Sequence, residues 1–320
     1  MIEQIEFRAE KERRYADIYR NSITDGETIA IIIDNGEEER YFYKYLPSEG
    51  NDISIDLTPY CRAMGAYSMK DALNDGSEIS RYLGRGGCII HVEYNDGSET
   101  VKSIFPYGTW KETAGFLTKL PYLQVSELGD NTDPIIFSAF TWDDGNMSVM
   151  CGKAEKQIYL NDDNDSFLFQ FKEYADKIEV RDQMYEDEII RSSIPVRKVP
   201  RGMNTRRLIW RNEMGGYDAW AFEFLRESNF ATTSDVFYSS TNGYTRTNRK
   251  SERLHTVETR ELDDITAEVV AYVIASPEVY LWDYESNTAI PVDVVTEECR
   301  TYSDTELSGV QVSYRKRMRE

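Results

Sequence analysis

Histidine and cysteine are the residue types best suited to nucleophilic and metal chemistry near neutral pH, and this chain has two histidines and four cysteines. His91 follows Cys88 by three positions in the predicted strand CIIHVEY. An odd spacing along a strand directs the two side chains to opposite faces, which disfavours a Cys–His dyad. His255, in RLHTVET, has no nucleophile near it in the sequence and is predicted to be an ordinary strand residue.

The remaining patterns that could hold a metal or a phosphate are incomplete. The cysteines form no CxxC pair, which favours buried free thiols over a zinc ribbon or a redox motif. DDNDSFLFQFKE resembles a calcium loop in its oxygen-bearing positions, but Phe167 stands where the loop needs glycine. We expect no EF-hand, with a surface cation near Asp162 left open. Because GxxxxGK[ST], GxSxG and HExxH do not occur, we predict no catalytic residue, cofactor or metal site.

The charge balance restricts the partners of the chain. It has 57 acidic and 37 basic residues, a net charge of -20, which disfavours phosphate backbones and anionic membranes. Basic residues are concentrated between residues 191 and 211, where we expect either solvated strand faces or contacts with acidic surfaces of a neighbouring copy. The candidate interaction residues of this cluster are Arg197, Lys198, Arg201, Arg206 and Arg207.

An aromatic, glycine-centred segment, LIWRNEMGGYDAWAF, begins at residue 208. Its alternation predicts two strands, LIWRN and YDAWAF, joined by a turn at Gly215 and Gly216, where glycine tolerates left-handed backbone. Asn212 and Asp218 are predicted to cap the backbone of that turn. The residues assigned to this aromatic hairpin are Trp210, Asn212, Gly215, Gly216, Asp218, Trp220 and Phe222.

Exposed tryptophans on the same hairpin would suit a different function. Aromatic side chains lined up on a strand face, such as Trp210, Trp220 and Trp282, form platforms that bind sugars. Aromatics at alternating strand positions more often belong to a core, so this is the alternative interpretation.

The rest of the chain predicts a mainly β fold of tandem antiparallel β-sandwich domains, immunoglobulin-like or barrel-like. Hairpins are predicted at residues 27 to 47 and 87 to 106, because Asn, Asp and Gly cluster between two β-rich runs in each. Further short strands follow, among them DISIDL, PIIFSAF, SFLFQF and GVQVSYR.

One helix is predicted near the C-terminus, at about residues 263 to 275. It begins at Asp263, whose side chain suits a helix N-terminus, and its predicted apolar face holds Ile265, Val269, Tyr272 and Val273. We divide the chain into a β-sandwich domain at 1–80, a second β domain at 81–200, and a C-terminal β domain with this helix at 201–320.

Two motifs resemble the β-rich, tail-associated structural proteins of Bacteroidetes phages and prophages. They are the turn WxNxxGGxDxWxF and the C-terminal order of a helix, SPxVYLW, a short turn and IPVxV. The N-terminal order of hairpin, YLP and IDL is also similar to their repeated sandwich domains. The resemblance covers most of residues 1 to 65 and 206 to 314. It implies a non-enzymatic tail part that assembles with itself or with neighbouring virion proteins, and it implies no catalytic residue.

Two functional hypotheses follow. The first is a structural assembly protein of a phage tail or prophage-derived particle, which forms homo-oligomers, binds other virion proteins, and contacts neither nucleic acid nor membrane. The second is a carbohydrate-binding or adhesion β-sandwich module with a glycan as its partner. Because the first residues, MIEQIEFRAEKERR, contain no apolar segment, we expect no secretory signal, synthesis in the cytoplasm and later incorporation into a particle.

Overall fold

The computed structural model describes residues 9–10, 13–14, 17–20, 27–34, 39–46, 53–56, 70–74, 76–82, 88–93, 99–104, 115–128, 131–141, 147–158, 165–184, 187–239, 243–296 and 307–317. Most of these residues lie in antiparallel strands, so the predicted mainly β, sandwich-like fold is confirmed.

Strands are numbered in chain order. The first nine are β1 Ala9–Glu10, β2 Arg13–Arg14, β3 Asp17–Arg20, β4 Glu27–Asp34, β5 Glu39–Leu46, β6 Ile53–Asp56, β7 Ile79–Tyr82, β8 Cys88–Glu93 and β9 Glu99–Ile104. The next nine are β10 Gly115–Phe116, β11 Leu123–Leu128, β12 Asn131–Thr132, β13 Ile135–Thr141, β14 Met147–Cys151, β15 Ala154–Ile158, β16 Asp165–Phe171, β17 Lys177–Met184 and β18 Asp187–Pro200. The last nine are β19 Arg206–Arg211, β20 Tyr217–Phe222, β21 Phe224–Ser239, β22 Gly243–Glu258, β23 Leu262–Asp263, β24 Val279–Asp283, β25 Thr288–Val294, β26 Leu307–Ser308 and β27 Gln311–Lys316.

The helices are α1 Lys70–Asn74 and α2 Asp264–Ala271, and a 3₁₀ turn, Tyr272–Ile274, follows α2.

Both predicted N-terminal hairpins are confirmed. β4 pairs with β5 and β8 pairs with β9, each antiparallel, and β4 also pairs with β8. The two hairpins therefore build one four-stranded sheet together, in the order β5-β4-β8-β9. Alternate residues of its two central strands are buried, namely Ile31, Ile33, Ile90 and Val92, as the period of two along a strand requires.

Three larger sheets stack on one another. The four-stranded sheet β10-β13-β16-β7 lies in the middle and buries one face against the six-stranded sheet β12-β11-β18-β17-β14-β15. On that face Phe137 and Phe169 stack with their ring centroids 5.0 Å apart. The opposite face packs Ile136 and Leu168 against Ile209 of the seven-stranded sheet. Because successive residues of a strand point to opposite faces, β13 and β16 serve both cores.

The seven-stranded sheet, in the order β20-β19-β24-β25-β27-β22-β21, carries α2 on its far side. Asp263 caps this helix, since the backbone N–H of Thr266 donates to Asp263 Oδ1 at 2.9 Å, and this bond lowers the pKa of the Asp263 carboxyl. The predicted helix start is thus confirmed.

The predicted apolar face of that helix is wrong at Ile265, which is 71% exposed. Val273 is buried as predicted, and Val269 and Tyr272 are partly buried and pack against the core. The helix also buries Thr266, Ala267 and Val270, which were not predicted to face the core.

Side chains on both sides of residue 200 share cores. Ile136 and Leu168 contact the same cluster as Tyr217 and Tyr280, and Leu120 packs in the cluster that holds α2. The division of the chain at residues 80 and 200 stays a prediction. In the described part of the chain, no helix is long and apolar enough to span a membrane.

Removal of residues 263 to 320 should leave an insoluble product. β27 lies between β25 and β22, so the truncation removes α2 and the strands that connect β19 to β22, and it exposes the indoles of Trp210 and Trp220 to water. Solubility and thermal melting of fragment 1–262 beside the full chain measure this. A soluble fragment that melts cooperatively would contradict it and would identify the C-terminal part as detachable.

Candidate functional site

The aromatic hairpin forms as the sequence predicts, with β19 and β20 paired from Arg206↔Phe222 to Arg211↔Tyr217. Asn212 holds its turn. The side-chain Oδ1 of Asn212 accepts from the backbone N–H groups of Met214 and Gly216, each at 3.0 Å, and its Nδ2 donates to the backbone oxygen of Leu117 at 2.7 Å. One amide therefore caps the turn and ties it to the segment that precedes β11.

The two glycines of the turn have different physical roles. Gly215 has a φ of +82°, in the left-handed region that side-chain-bearing residues avoid. Gly216 is required because the site has no room for a side chain: a Cβ atom on it would lie 2.2 Å from the backbone oxygen of Leu117. The hydrogen bond of Asn212 brings Leu117 to this position, so the amide and the glycine depend on each other.

The aromatic residues of the hairpin are core residues. Trp210, Trp220 and Phe222 are fully buried, and they pack with α2 on one face of the sheet. The expectation that Asp218 caps the turn is wrong. Asp218 lies on the same face, is 1% exposed, and both of its carboxylate oxygens lack a hydrogen-bond partner.

The basic cluster predicted between residues 191 and 211 is divided between core and surface. Arg207 is buried at 1% exposure and donates to the backbone oxygen of Pro134 at 2.8 Å, so it is not available to a partner. Arg201 is largely buried and pairs with Asp133 at 2.9 Å. Asp133 lies between these two guanidiniums, which compensate the cost of burying its charge.

The other three candidate residues lie at the surface. Arg197 covers the ring of Tyr122 at 3.8 Å, and Lys198 covers the ring of Tyr174 at 4.2 Å. Arg206 donates to the backbone oxygen of Thr205 at 2.8 Å. The five residues therefore do not form one patch. Arg201 and Arg206 lie together in a groove that the sequence did not indicate.

This groove, which we call the basic groove, has a volume of about 900 Å³. Arg201, Arg206, Arg253 and Lys316 line it, with two carboxylates, Asp283 and Glu285. Cationic side chains thus outnumber acidic ones in the groove, although the whole chain has a net charge of -20. A concave, positively charged surface on an acidic protein favours an acidic or polar partner.

Aromatic and imidazole side chains line another part of the basic groove. The ring of His255 stacks on that of Tyr314 with centroids 5.5 Å apart, and Trp282 lies nearby. The Nδ1 atom of His255 and the Nε1 atom of Trp282 are buried without hydrogen-bond partners. Burial, followed by nearby positive charges, lowers the pKa of His255. The imidazole is therefore neutral at pH 7, and the groove gains positive charge only on acidification.

A long β-ribbon starts beside this groove. β21 and β22 pair along their whole length, from Phe224↔Glu258 to Ser239↔Gly243, with irregularities after Leu225 and Thr233. This element was not predicted from the sequence, because polar residues interrupt the alternation of apolar and polar side chains in both strands. The dipeptide Asn242-Gly243 is a common hairpin signal and was the available clue.

His91 lies on β8 and His255 on β22, as their strand patterns predict. Cys151 is a buried free thiol, as predicted, and burial raises its pKa to about 11. Phe167 lies in β16, as its strand pattern predicts. The suggested cation near Asp162 falls outside the described residues. Within the described ranges, no group of three or more His, Cys, Asp or Glu side chains could hold a metal ion.

No protein-family model matches the chain, and no curated protein matches it.

Substitution of Gly216 by alanine tests the close approach at the turn. The added Cβ would overlap Leu117, so we expect Gly216→Ala to lower the free energy of unfolding by about 2 kcal/mol or more, as overpacked sites do. The matched control is Gly202→Ala, whose Cβ would lie 3.7 Å from Thr205 Oγ1 and should change stability by less than about 0.5 kcal/mol. Urea denaturation measures both, and equal effects of the two substitutions would refute the packing explanation.

Proposed function

We propose that this chain is a non-enzymatic structural protein that assembles with copies of itself, and with neighbouring proteins, into a phage tail or a prophage-derived particle. The observation that carries the proposal is the β-ribbon of β21 and β22, defined here as residues 231–239 and 243–252. This ribbon extends beyond the sheet to which its base belongs.

The geometry of the ribbon is that of an arm. β27 pairs with β22 over Leu254 to Glu258, and between Gly243 and Arg253 no described strand other than β21 pairs with β22. Among the described strands, β21 pairs with β22 alone. The nine residue positions from 231 to 239 span about 30 Å at the usual rise of a strand. Among the described strands, none pairs with either outer edge of the ribbon along most of its length.

Such an arm is an incomplete structure by itself. A two-stranded ribbon is at best marginally stable in water, and unpaired strand edges readily accept another strand. Pairing with a strand of another subunit would satisfy the open N–H and C=O groups. The chain has 320 residues, and the described core clusters are built from the stacked sheets and α2. These facts favour a role of the arm between subunits.

The basic groove offers a complementary surface at the base of the arm. It concentrates Arg206, Arg253 and Lys316 on a chain with a net charge of -20. An acidic segment of a neighbouring copy fits such a groove electrostatically, and head-to-tail contacts of this kind produce rings or fibres.

The phage-tail context rests on the sequence resemblance. The motif WxNxxGGxDxWxF contains Asn212 and Gly216, whose contacts with Leu117 hold the turn. The motif therefore describes a packed architecture, which is compatible with a structural protein. The proposed site of action is a virion or phage-like particle built from chains made in the cytoplasm.

The carbohydrate-binding alternative was based on exposed tryptophan side chains, and the tryptophans named for it are buried. Trp210 and Trp220 are fully buried and Trp282 is 3% exposed, so these three indoles do not form an open sugar platform.

Shortening the ribbon tests the proposal. Residues 231–252 are replaced by Asn-Gly, which joins Phe230 to Arg253, two residues whose Cα atoms are paired, through a two-residue turn. We expect the full chain to form a discrete oligomer and the shortened chain to stay monomeric, because the unpaired edges are gone. Light scattering across a concentration series measures both masses.

Two controls make the result specific. The shortened chain should keep the melting temperature of the full chain within a few degrees, since the pairing of β22 with β27 from Leu254 to Glu258 is retained. A variant with serine in place of Arg246, Arg249 and Lys250 keeps the backbone edges and should keep the oligomer. A full chain that is monomeric throughout the series, or a shortened chain that forms the same oligomer, would contradict the proposal.

A further inference from the structure

A cavity separate from the basic groove lies between the hairpin turn and α2. It is on the face of the aromatic hairpin that points away from the middle sheet. Its volume is about 310 Å³, at the lower end of the range for small-molecule sites. Asp218 of β20 lines it, together with Asn212 and Met214 of the turn. Neither the assembly proposal nor the basic groove involves this cavity.

The carboxylate of Asp218 is buried and forms no complete hydrogen bond with the residues that the structure describes. The residue is 1% exposed, and neither of its oxygens completes a hydrogen bond. Burial raises the pKa of Asp218 to about 7, against smaller lowering effects of the nearby Thr118 and Asn212 side chains. A buried, unpaired carboxylate is costly, and a positively charged hydrogen-bond donor placed in the cavity would relieve that cost.

The apolar part of the cavity lining comes from α2, which also contributes Glu268. Ile265, Val269 and Tyr272 line the cavity; Ile265 is exposed, and Val269 and Tyr272 are only partly buried against the core. Met214 adds a flexible thioether side chain from the turn. The cavity is thus apolar on one side and carries the carboxylate on the other, so it suits a ligand with an aliphatic chain and a polar end.

Two further carboxylates line the cavity, and the charge of its lining determines whether it favours a cationic or an anionic ligand. Glu213 and Glu268 line the cavity, and Lys119 is its one basic lining residue. Lys119 already pairs with Glu213 at 2.5 Å. The carboxylates of Asp218 and Glu268 therefore give the cavity a net negative charge. This charge disfavours anionic ligands and favours cationic ones.

We propose that this cavity binds a primary alkylammonium group, with its ammonium donating to Asp218 and its methylenes packed against Ile265, Val269 and Tyr272. An ammonium has three donors, two of which suit the two carboxylate oxygens of Asp218. A divalent cation is a poorer occupant, because hard cations need six or more oxygen ligands and one side of this cavity is apolar. The group belongs either to a free small amine or to a lysine side chain of a second copy.

The test uses n-butylammonium chloride and the intact chain. Saturation-transfer NMR measures its binding at constant ionic strength, with n-butanol as the uncharged comparison of the same shape. We expect butylammonium to bind at pH 8 and n-butanol to bind at least tenfold more weakly. Failure of butylammonium to bind wild-type protein at pH 8 would overturn the proposal.

Asp218→Asn is the matched variant, since it keeps the shape of the side chain and removes the charge. It should weaken butylammonium binding at least tenfold, and undiminished binding to the folded variant would refute the role of Asp218. Because the variant could fail to fold, the wild-type chain is also titrated with acid. Asp218 becomes protonated below pH 7 while an alkylamine stays charged, so binding should weaken at least tenfold between pH 8 and pH 5.5.

The charged and titratable groups around Asp218 allow that acid effect to be assigned. Glu213 and Lys119 face it from the turn and from the segment before β11, and Glu268 and Tyr272 face it from α2. Glu268→Gln removes the neighbouring helix carboxylate and should leave the midpoint of the pH dependence near 7. A midpoint that disappears in this variant would contradict the assignment to Asp218.

Light scattering in the presence of butylammonium identifies the source of the natural group. A fall in the mass of the oligomer indicates that the cavity holds a lysine of a second copy, which the free amine displaces. An unchanged mass indicates a free amine as the occupant. Binding to the cavity is measured separately from the mass, so the alkylammonium proposal stands or fails independently of the assembly proposal.

Discussion

The side-chain amide of Asn212 is the contact on which much of this architecture depends. It satisfies two backbone N–H groups of its own turn and one backbone oxygen of Leu117, ninety-five positions away in the chain. A buried amide with three hydrogen bonds favours one arrangement, because alternatives leave buried donors or acceptors unsatisfied. This contact joins the turn to the segment before β11, and Asn212 also lines the cavity beside α2.

Other buried polar side chains continue the same connection between the sheets. Gln124 accepts from the backbone N–H of Ala221 at 2.7 Å, and Ser138 accepts from that of Tyr217 at 2.9 Å. Arg207 reaches from the seven-stranded sheet to the backbone oxygen of Pro134. Hydrophobic contacts stabilise the packing of the sheets but are not directional. These hydrogen bonds are directional and therefore determine how the sheets are placed relative to one another. A rigid stack of this kind can carry a projecting ribbon and can hold a groove and a cavity open on either side.

Local patterns made a large part of the fold predictable. The two N-terminal hairpins, the alternation of β19 and β20, and the capping Asp263 are encoded by residues close in sequence, and turn or capping chemistry acts over that range. The capping role of Asn212 follows from the same local chemistry. Its bond to Leu117 could not be predicted, since nothing in either segment specifies the other.

The wrong or missing predictions concern contacts between distant segments. Arg207 looked like a surface charge, and its burial depends on Asp133 and Pro134 of another sheet. Ile265 of α2 was assigned to the core, whereas Thr266 and Ala267 are buried instead, because hydrophobic periodicity does not show which small or polar residues face a neighbouring sheet. The ribbon was missed because polar residues obscure the alternation of its two strands. Asp218 was assigned to the turn because the sequence does not show that it lines a cavity with α2.

Hydrogen–deuterium exchange of the full chain, measured across a concentration series, tests the assembly account most directly. The backbone amides of residues 231–239 and 243–252 should exchange rapidly in the dilute monomer, since one marginal pairing protects them, and slowly in the oligomer, where another subunit covers their edges. Amides of the stacked sheets should stay protected at all concentrations and serve as the internal reference. Equally rapid exchange of the ribbon amides in monomer and oligomer would contradict the claim that this arm joins the subunits.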